Sequence, residues 1–553
     1  PGMGLALLTL ALAYSRGALA ALAIGLLAWF ALVPLRLRGA AVLLCGAVAA
    51  GAVTAWDFKK SALSSEGVAL PLRSNAGHQL GVLVLVMLVA LTVAGVTAHF
   101  TTARRAPSPL TRRRAGTVLL ALIAAAIVAF AGALAMSHRG FAGSISHAVN
   151  ALTDPNAKPP PNTPGRLTGV ASVRARYWKE ALEVFKAHPA LGAGAMGYQT
   201  ARLRYRTAPL VVTHAHGFVV QTLADLGAVG LAIALALLAC FLAAAGRATH
   251  PFNRAWTSWR AWRRGNGERP GWRPLPPRPR RYDAERIGLL SMLCIVIVFG
   301  VHSLVDWTWY VPGDALVALI CAGWLAGRGP QLAPRPRRRA DAASRIERRL
   351  AALAGPDVRP RPVLGWAAVA TAAVVTAAAL LAAWSEWQPQ RSEDARQQAL
   401  ELAAAHPQQA LAAARTAVSR DPLSPFGLFT LAQVQTIGGE TAAARATLQK
   451  AVRQQPSNPQ TWLTLGRFDL SRHPADAVRE IGAAIYLDPE SVSPELLARG
   501  DREALSIHNE YIEAVQAQAA RAQARAQAAT SARESRARAE RAARRARRRR
   551  RAR

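Results

Sequence analysis

The run "HAHGFVVQTLADLGAVGLAIALALLACFLAAA", residues 214–245, places two histidines at the edge of a long apolar segment. An apolar run of about 18 or more residues predicts a helix that crosses a bilayer. Titratable side chains beside such a segment are uncommon unless they serve a function. The run therefore predicts a membrane helix, and it marks His214 and His216 as candidates for binding or catalysis.

Seven further apolar blocks share the character of this run, and hydrophobic residues make up 52% of the 553-residue chain. The blocks are residues 3–33, 39–56, 79–100, 115–136, 287–306, 311–327 and 363–384. A protein with this many apolar blocks reads as a bilayer protein rather than as a soluble one with several cores. The sequence predicts an all-α fold, a polytopic transmembrane helical bundle with eight spans.

The net charge of +36 would suggest a nucleic-acid partner in a soluble protein, so the distribution of the charge decides its meaning. Arginine concentrates between alternate spans, at Arg36 and Arg38 and within residues 104–114, 247–286 and 335–361. The positive-inside rule places these segments in the cytoplasm. We therefore expect no nucleic-acid partner, and we expect residues 57–77, 137–213, the short turn near Trp307 to Pro312 and everything after about Trp384 to lie outside.

The four cysteines show no spacing typical of a metal site. Cys45, Cys240, Cys294 and Cys321 all fall within apolar blocks, where free cysteine behaves as a small hydrophobic residue. The sequence therefore predicts neither a disulfide nor a metal site, and no motif for another cofactor is present.

After the last span, similar residues recur at a period of 34. Leu428, Leu431 and Ala432 match Trp462, Leu465 and Gly466, while the second-helix set Ala410, Ala414, Ala417 and Pro422 matches Ala444, Leu448, Ala451 and Pro456, and continues as Ala477, Ile481, Ala484 and Pro489. This spacing is typical of tetratricopeptide repeats. We predict two repeats and a leading half-repeat over about residues 401–490, with a concave face for an extended protein partner. A generic bundle of helical hairpins remains the alternative.

The chain is thus predicted to contain five parts. They are transmembrane spans in 1–136, an external helical loop with the active-site residues in 137–213, further spans in 214–385, a soluble tetratricopeptide helical-repeat domain in 386–500, and a basic Ala/Arg-rich tail in 501–553. The chain enters an apolar block almost directly after Pro1 without a basic leader, so we expect that upstream spans are missing. The tail is expected to be a solvated helix or disordered.

The predicted external loop contains "RARYWKEALEVFKAHPALGAGAMGYQTARLRYR", residues 174–206. An amphipathic helix ends at His188, and the glycines that follow permit close backbone approach; they are Gly192, Gly194 and Gly197. Arg202, Arg204 and Arg206 come next, and the planar guanidinium binds phosphate oxygens with two parallel hydrogen bonds. The combination favours a site for a lipid-linked anion, whereas the glycines alone would be equally typical of a tight turn.

Arg16 lies inside the first apolar block, with about a dozen apolar residues on each side. A charge at that depth costs roughly 2.5 to 3.5 kcal/mol on insertion scales, so it usually faces a partner or a water-filled cavity. A snorkelling arginine near a span end is the alternative. His302 and Asp306 lie one helical turn apart, and we interpret them as structural because the neighbouring aromatic residues resemble an interfacial belt.

Three segments together resemble a known family. In order they are "YSRGALAALAIG" (14–25), "RYWKEALEVFKAHPALGAGAMGY" (176–198) and "HAHGFVVQTLADLGAVGL" (214–231). They look like the O-antigen ligase and polymerase superfamily of polytopic bacterial glycosyltransferases, over about residues 5–330. Many members of that family carry fused external tetratricopeptide repeats. Gly217 stands where the family commonly has Asn or Ser, and Met196 stands where it commonly has glycine.

The resemblance implies transfer of a glycan from a polyprenyl diphosphate carrier to an acceptor hydroxyl, without metal or cofactor, in the bacterial cytoplasmic membrane. The acceptor would be a glycan, a lipid or a protein, which leaves ligase, polymerase and protein O-glycosylation open. By family match, His216 is the general base, and Arg16 and Arg176 neutralise the diphosphate. The loop residues expected to bind substrate are Arg204, Arg206, Gly192, Gly194 and Gly197, while His214 is expected to be a bystander.

Two other classes of function fit parts of the sequence. A non-enzymatic membrane scaffold would use its repeats to recruit envelope proteins, and its loop arginines and His216 would then be dispensable. A transporter of anionic substrates would also use an arginine within the membrane, but the spans show none of the internal symmetry that such folds display. The glycan transferase remains the preferred hypothesis.

Overall fold

The computed structural model describes residues 1–65, 67–104, 108–158, 160–167, 169, 171–251, 284–329 and 366–551. Every regular element in these ranges is a helix. The helices are α1 (Gly2–Leu12), α2 (Arg16–Leu32), α3 (Arg36–Asp57), α4 (Ser61–Ser64), α5 (Leu70–Arg104), α6 (Pro109–Met136), α7 (Gly140–Thr153), α8 (Arg174–Ala187), α9 (Tyr198–Ala201), α10 (Phe218–Thr249), α11 (Ala284–Ser303), α12 (Pro312–Gly327), α13 (Trp366–Leu402), α14 (Pro407–Arg420), α15 (Pro425–Ile437), α16 (Thr441–Gln454), α17 (Pro459–Asp469), α18 (Pro474–Leu487), α19 (Pro494–Ala498) and α20 (Arg502–Arg551). The predicted all-α class is confirmed for these residues.

The chain divides into two compact units. The first contains Pro1–Tyr198 and Val212–Pro336, and the second contains Gln199–Val211 and Arg337–Arg553. A short piece of the predicted external loop therefore belongs with the C-terminal half of the chain. We call residues 199–211 the arginine segment.

Five helices within the described residues are long and apolar enough to cross a bilayer. They are Arg36–Asp57, Leu70–Thr101, Phe218–Thr249, Ala284–Ser303 and Val369–Leu402. Large apolar side chains on these helices point outward; Val86, Ile233 and Leu237 are more than half exposed. Exposed apolar surface of this extent is typical of a face that contacts lipid.

The first predicted span is two helices rather than one. Helix α1 ends at Leu12, Tyr14 adopts a left-handed φ of +48°, and the Ser15 hydroxyl accepts a hydrogen bond from Ala18 N–H at the start of α2. A serine that caps a helix satisfies one of the free N–H groups of the first turn. Arg16 therefore lies at a helix end and not in the middle of a continuous span, which corrects its predicted setting.

The core of the first unit is built by α2, α10, α11 and α12. Its buried side chains are Leu32, Val33, Ala245, Leu289, Leu290, Leu293, Cys294 and Leu325. A second cluster joins α1, α3 and α5 through Leu8, Ala50, Val53 and Met87. These contacts bring the start of α2 and the turn between α11 and α12 into the same unit as α8 and α10.

In the second unit, α13 to α18 form successive helical pairs. Fully buried alanines occur at equivalent positions of the period, namely Ala410, Ala444 and Ala477, each with no exposed surface. Each alanine lies where the sequence period requires a small residue. Helix α20 packs on α18 and continues as a single long helix to Arg551, so the tail is helical rather than disordered in its described part.

Candidate active site

His216, Asp306 and Arg174 form a connected group in the first unit. The Nδ1 atom of His216 lies 3.0 Å from Oδ1 of Asp306, and Nη2 of Arg174 donates to Oδ2 of the same carboxylate at 2.7 Å. His302 Nε2 lies 3.8 Å from that second oxygen. The histidine comes from the N-terminal edge of α10, the carboxylate from the turn after α11, and the arginine from the start of α8. Tertiary structure thus joins residues that are 90 and 132 positions apart.

The Asp306 carboxylate is held in its ionised form. Burial by itself would raise the pKa of Asp306, but the hydrogen bond from His216 and the charge of Arg174 outweigh burial and lower this pKa to about 2. A carboxylate that accepts the Nδ1–H of a histidine leaves the lone pair on Nε2. The arrangement gives an imidazole of fixed tautomer whose second nitrogen is basic, as a general base requires.

The backbone around His216 is fixed by several independent contacts. His216 has a φ of +50°, which is uncommon for a residue with a side chain. The Trp178 indole donates to His216 O at 3.2 Å, and the Tyr177 ring stacks on the imidazole with centroids 5.6 Å apart. A sparsely populated backbone conformation persists only where its surroundings determine it, and such positions concentrate at functional sites.

Gly217, which follows His216, fits closely at the start of α10. A Cβ atom there would lie 3.1 Å from both Leu304 O and the Trp178 indole nitrogen. An Asn or Ser at this position would cap the helix, and α10 has no side-chain cap. Gly217, which replaces the Asn or Ser common in the family that the sequence resembles, is therefore tightly packed beside His216.

The glycine turn packs on a break in α10. Helix α10 is interrupted at Gly227, whose φ is +65°. Carbonyl groups before this break accept hydrogen bonds from the glycine turn: Ala193 N–H donates to Ala224 O at 2.8 Å, and Gly194 N–H donates to Asp225 O at 2.9 Å. A Cβ on Gly192 would come within 2.3 Å of the Asp225 backbone. These contacts require glycine for packing.

The other residues of the glycine turn also have backbone conformations or close contacts that favour glycine. Gly192 and Gly194 adopt φ values of +68° and +98°, which favour glycine. A Cβ on Gly197 would meet the Ala193 backbone at 2.4 Å. Met196 has a φ of +59°, which accounts for glycine being common there in the family that the sequence resembles. The predicted substrate-binding glycines thus have a structural explanation.

Arg16 and Arg176 each hold backbone carbonyl groups of the predicted external loop. The Arg16 guanidinium donates to Gly169 O and, at 2.8 Å, to Ala171 O. Arg176 Nε donates to Pro155 O at 2.9 Å. A guanidinium has five N–H donors, so both residues keep N–H groups for an anion. The structure brings Arg174, which sequence reasoning did not select, to the His216–Asp306 pair.

Arg204 and Arg206 take their partners within the second unit. Arg206 makes a two-pronged ion pair with Asp488, Nε to Oδ1 and Nη2 to Oδ2, each at 2.7 Å. The Arg204 guanidinium lies 4.0 Å from the centre of the Tyr486 ring. Both arginines were expected to bind substrate, and in the structure their charged groups contact Asp488 and Tyr486 at the end of α18 instead.

His214 lies among aromatic rings. Its imidazole stacks on Tyr310 at 4.2 Å and on Trp307 at 5.2 Å between centroids. Burial, and then the charge of His216, lowers the pKa of His214. Stacking on these two rings favours a packing role for His214.

An apolar cavity of about 1080 Å³ lies beside the site in the first unit. Its walls include Leu22, Trp29, Val298 and Phe299, and its polar lining includes Ser15 and His302. Ser15 precedes Arg16 in the chain, and His302 approaches the Asp306 carboxylate. The cavity therefore reaches side chains that adjoin the candidate catalytic group.

Sequence reasoning missed Arg174 and Asp306 as site residues. Asp306 was interpreted as structural because of its aromatic neighbours, yet it contacts both His216 and Arg174. The available signal was topological: the charge pattern placed the turn after α11 on the same side of the membrane as the loop before His216. Among the described residues, no three His, Cys, Asp or Glu side chains are grouped as metal ligands would be.

Comparison with known proteins adds one finding. Residues 76–235 match the family model of the O-antigen ligases. The matched range contains His216 and Arg174, whereas Arg16 and Asp306 lie outside it. No curated protein is significantly similar to the chain. The chain is therefore a multi-pass membrane protein, helical in every regular element that the structure describes, with an O-antigen ligase-like region at residues 76–235.

Proposed function

We propose that the protein transfers a glycan from a polyprenyl diphosphate carrier to an acceptor hydroxyl, as a ligase, a polymerase or a protein O-glycosylating enzyme in cell-surface polysaccharide assembly. The observation that carries the proposal is the His216–Asp306–Arg174 group, since it combines an oriented imidazole with a family match that covers His216.

His216 acts as the general base in this proposal. Its Nε2 accepts the proton of the acceptor hydroxyl while the hydroxyl oxygen attacks the anomeric carbon of the glycan. The bond between that carbon and the diphosphate oxygen breaks, and polyprenyl diphosphate leaves. Asp306 orients the imidazole and stabilises the imidazolium that forms, while Arg174 keeps Asp306 ionised.

Arg16 and Arg176 neutralise the charge that develops on the leaving diphosphate. Both arginines are anchored through backbone carbonyls, which limits the entropy lost when they bind an anion. Preorganised donors aimed at a developing charge are among the largest contributions to catalysis. We propose that this neutralisation proceeds without a metal ion, and a chelator tests that directly.

The apolar cavity beside Ser15 and His302 suits the polyprenyl chain of the carrier. Its lining is dominated by apolar side chains, and its polar edge adjoins the residues that would meet the diphosphate. Because lipid tails and apolar side chains are equally apolar, the carrier chain can pass from the bilayer into this cavity without a hydrophobic cost. The carrier would thus enter with its headgroup toward His216.

The helical pairs of the second unit are proposed to be tetratricopeptide repeats. Helices α15 and α17 begin at Pro425 and Pro459, and α14 and α16 begin at Pro407 and Thr441, so equivalent helices start 34 positions apart. The repeats would lie on the external face of the cytoplasmic membrane and bind a protein partner. This supports an enzyme whose acceptor or assembly partner is recruited outside the cell.

The test of the proposed function is transfer by purified protein from a polyprenyl diphosphate glycan to acceptor, with and without a chelator. His216→Ala should lower turnover by about 10²- to 10⁴-fold, the usual contribution of a general base. His214→Ala is the matched control, because it removes an imidazole two residues away and should cost far less. Near-normal turnover by His216→Ala would refute the base assignment, and a purified wild type that transfers no glycan would favour a scaffold.

A further inference from the structure

The arginine segment, residues 199–211, is anchored at both ends in the first unit. At the N-terminal end, Tyr198 is fully buried and its N–H donates to Oδ1 of Asp225 at 2.8 Å. At the C-terminal end, Ala215 is fully buried and its N–H donates to the side-chain oxygen of Gln221 at 2.6 Å. Gln221 in turn donates to Asp225 Oδ2 at 2.8 Å. One buried carboxylate therefore organises both ends.

The middle of the segment is held by the repeat region instead. The Arg206–Asp488 pair is largely buried, with 12% of each side chain exposed, and both prongs measure 2.7 Å. Arg204 stacks over the Tyr486 ring. Arg202 is 1% exposed and donates to Leu210 O at 3.2 Å, which closes the segment on itself. Three alternate arginines are thus committed to structure.

A buried, two-pronged arginine–carboxylate pair is specific in geometry as well as in charge. Tyr486 lies in the last turn of α18, and Asp488 directly follows this helix. The Arg206–Asp488 pair therefore joins the arginine segment to the last predicted repeat. Arg206 precedes His216 by only ten residues. Release of Arg206 would therefore loosen the chain between Arg206 and Ala215, and the Ala215–Gln221 hydrogen bond alone would separate the loosened chain from His216, whose φ is +50°.

We propose that Asp488 and Tyr486 are positioning residues of the repeat region, which hold the arginine segment and thereby fix the approach of the chain to His216. The repeats would then be a working part of the enzyme as well as a docking surface. A partner that disturbs the end of α18 would change turnover. The effect on turnover rests on the proposed glycan transfer, but the clamp on the segment does not.

The test begins with a readout that is independent of transfer. Trypsin is added to full-length protein in detergent, and mass spectrometry follows new N-termini at Leu203, Tyr205 and Thr207. In the wild type these bonds should be cut slowly because the segment is ordered. Asp488→Asn should speed their cleavage at least about tenfold, since proteolysis tracks the population of the open form. Glu510→Gln is the matched control, because it breaks the 2.8 Å Arg467–Glu510 pair elsewhere in the same unit.

The second arm uses charge reversal and measures transfer. Arg206→Asp and Asp488→Arg should each lower the turnover number at least about tenfold, with little change in the KM for the carrier, because the clamp positions the base rather than the lipid. The double variant should recover most of the loss by re-forming the pair in reverse. Equal cleavage of Asp488→Asn and wild type, or a double variant no better than its parents, overturns the proposal. A wild type without transfer activity would refute the proposed function, and the cleavage comparison would still decide the clamp.

Discussion

Replacement of Asp306 by Asn should test the candidate site most directly. Asparagine keeps the shape of the side chain but cannot stay negatively charged, so Arg174 loses its ion-pair partner and His216 loses the acceptor that fixes its tautomer. The amide can also present its N–H₂ group to Nδ1, which would favour the wrong tautomer for a base. The expected result is a folded protein with a poor general base.

The magnitude follows from the charge environment of Asp306. Its pKa falls from 3.8 to about 2, and each unit corresponds to about 1.4 kcal/mol, so the native surroundings favour the carboxylate by about 2 kcal/mol. The side chain is only 18% exposed, so little of this energy is lost to solvent screening. We expect Asp306→Asn to destabilise the protein by about that amount. Turnover should fall more, by about 10²- to 10⁴-fold, because the tautomer of the base is affected as well.

The pH dependence gives the sign of the effect. A carboxylate with a lowered native pKa stabilises the fold at a pH above its unfolded pKa, and the stabilisation disappears as the pH falls through the native value. For Asp306 that window lies between about pH 4 and pH 2. The stability difference between wild type and Asp306→Asn should therefore shrink as the pH falls below 4.

The assay is transfer by purified protein at several pH values, together with thermal unfolding of the same samples. Asp314→Asn is the matched control, since this exposed carboxylate lies eight residues further along the chain and makes no hydrogen bond to His216 or Arg174. Its turnover should stay within a few fold of wild type. If Asp306→Asn retains wild-type turnover, or if Asp314→Asn loses as much, the oriented-base mechanism is wrong.

Three further predictions concern other parts of the molecule. Arg174→Lys keeps a charge but loses the planar donor set, and we expect turnover to fall about tenfold or more. Arg176→Lys should weaken transfer as well if Arg176 binds the diphosphate. Measuring both turnover and carrier affinity for each variant separates the two roles. Burial, and then the charge of Asp469, raises the pKa of Glu480 to about 7, so the ionised carboxylate opposes folding as the pH rises from 4.5 toward 7. Replacing it by a neutral amide in Glu480→Gln should therefore stabilise the protein by up to about 3 kcal/mol at pH 8 and hardly at all at pH 4.5. Thermal or denaturant unfolding at the two pH values measures the difference. A cysteine at exposed Ser457, in a chain whose native cysteines are replaced, should react with an impermeant thiol reagent in intact cells, and labelling only after lysis would place the repeats inside.

Hydrophobic patterning predicted the class of the fold because membrane spans and repeat helices have strong local signals. The buried alanines of the repeat region show this clearly: Ala410, Ala444 and Ala477 recur at a near-constant period, and all three are fully buried. The break at Tyr14 and Ser15 escaped prediction because apolar residues flank it on both sides. A helix cap within an apolar run depends on one hydroxyl and one backbone torsion, which hydropathy does not register.

The site was only partly predictable because its members come from distant parts of the chain. His216 had a local signal, namely a histidine beside a span and a family-like segment. Asp306 had a misleading one, since its aromatic neighbours are equally typical of an interfacial belt. Arg206 looked like an anion ligand for the same chemical reason that it binds Asp488: a guanidinium suits any carboxylate or phosphate. The residue type predicted that Arg206 binds an anionic group, but only the tertiary contacts show that this group is the Asp488 carboxylate.

The dependence of His216 on Asp306 places part of the proposed catalytic group outside residues 76–235, the range that matches the ligase family model. The turn that carries Asp306 is fixed in turn by local contacts, since the Trp307 N–H donates to its carboxylate and Ser303 pairs with Thr308 through their hydroxyls at 2.8 Å. Rings from the same turn, Trp307 and Tyr310, stack on His214. The α11–α12 turn therefore supplies both the carboxylate that contacts His216 and the rings that pack on His214. Substitutions in this turn should alter transfer even though none of its residues has to touch the glycan.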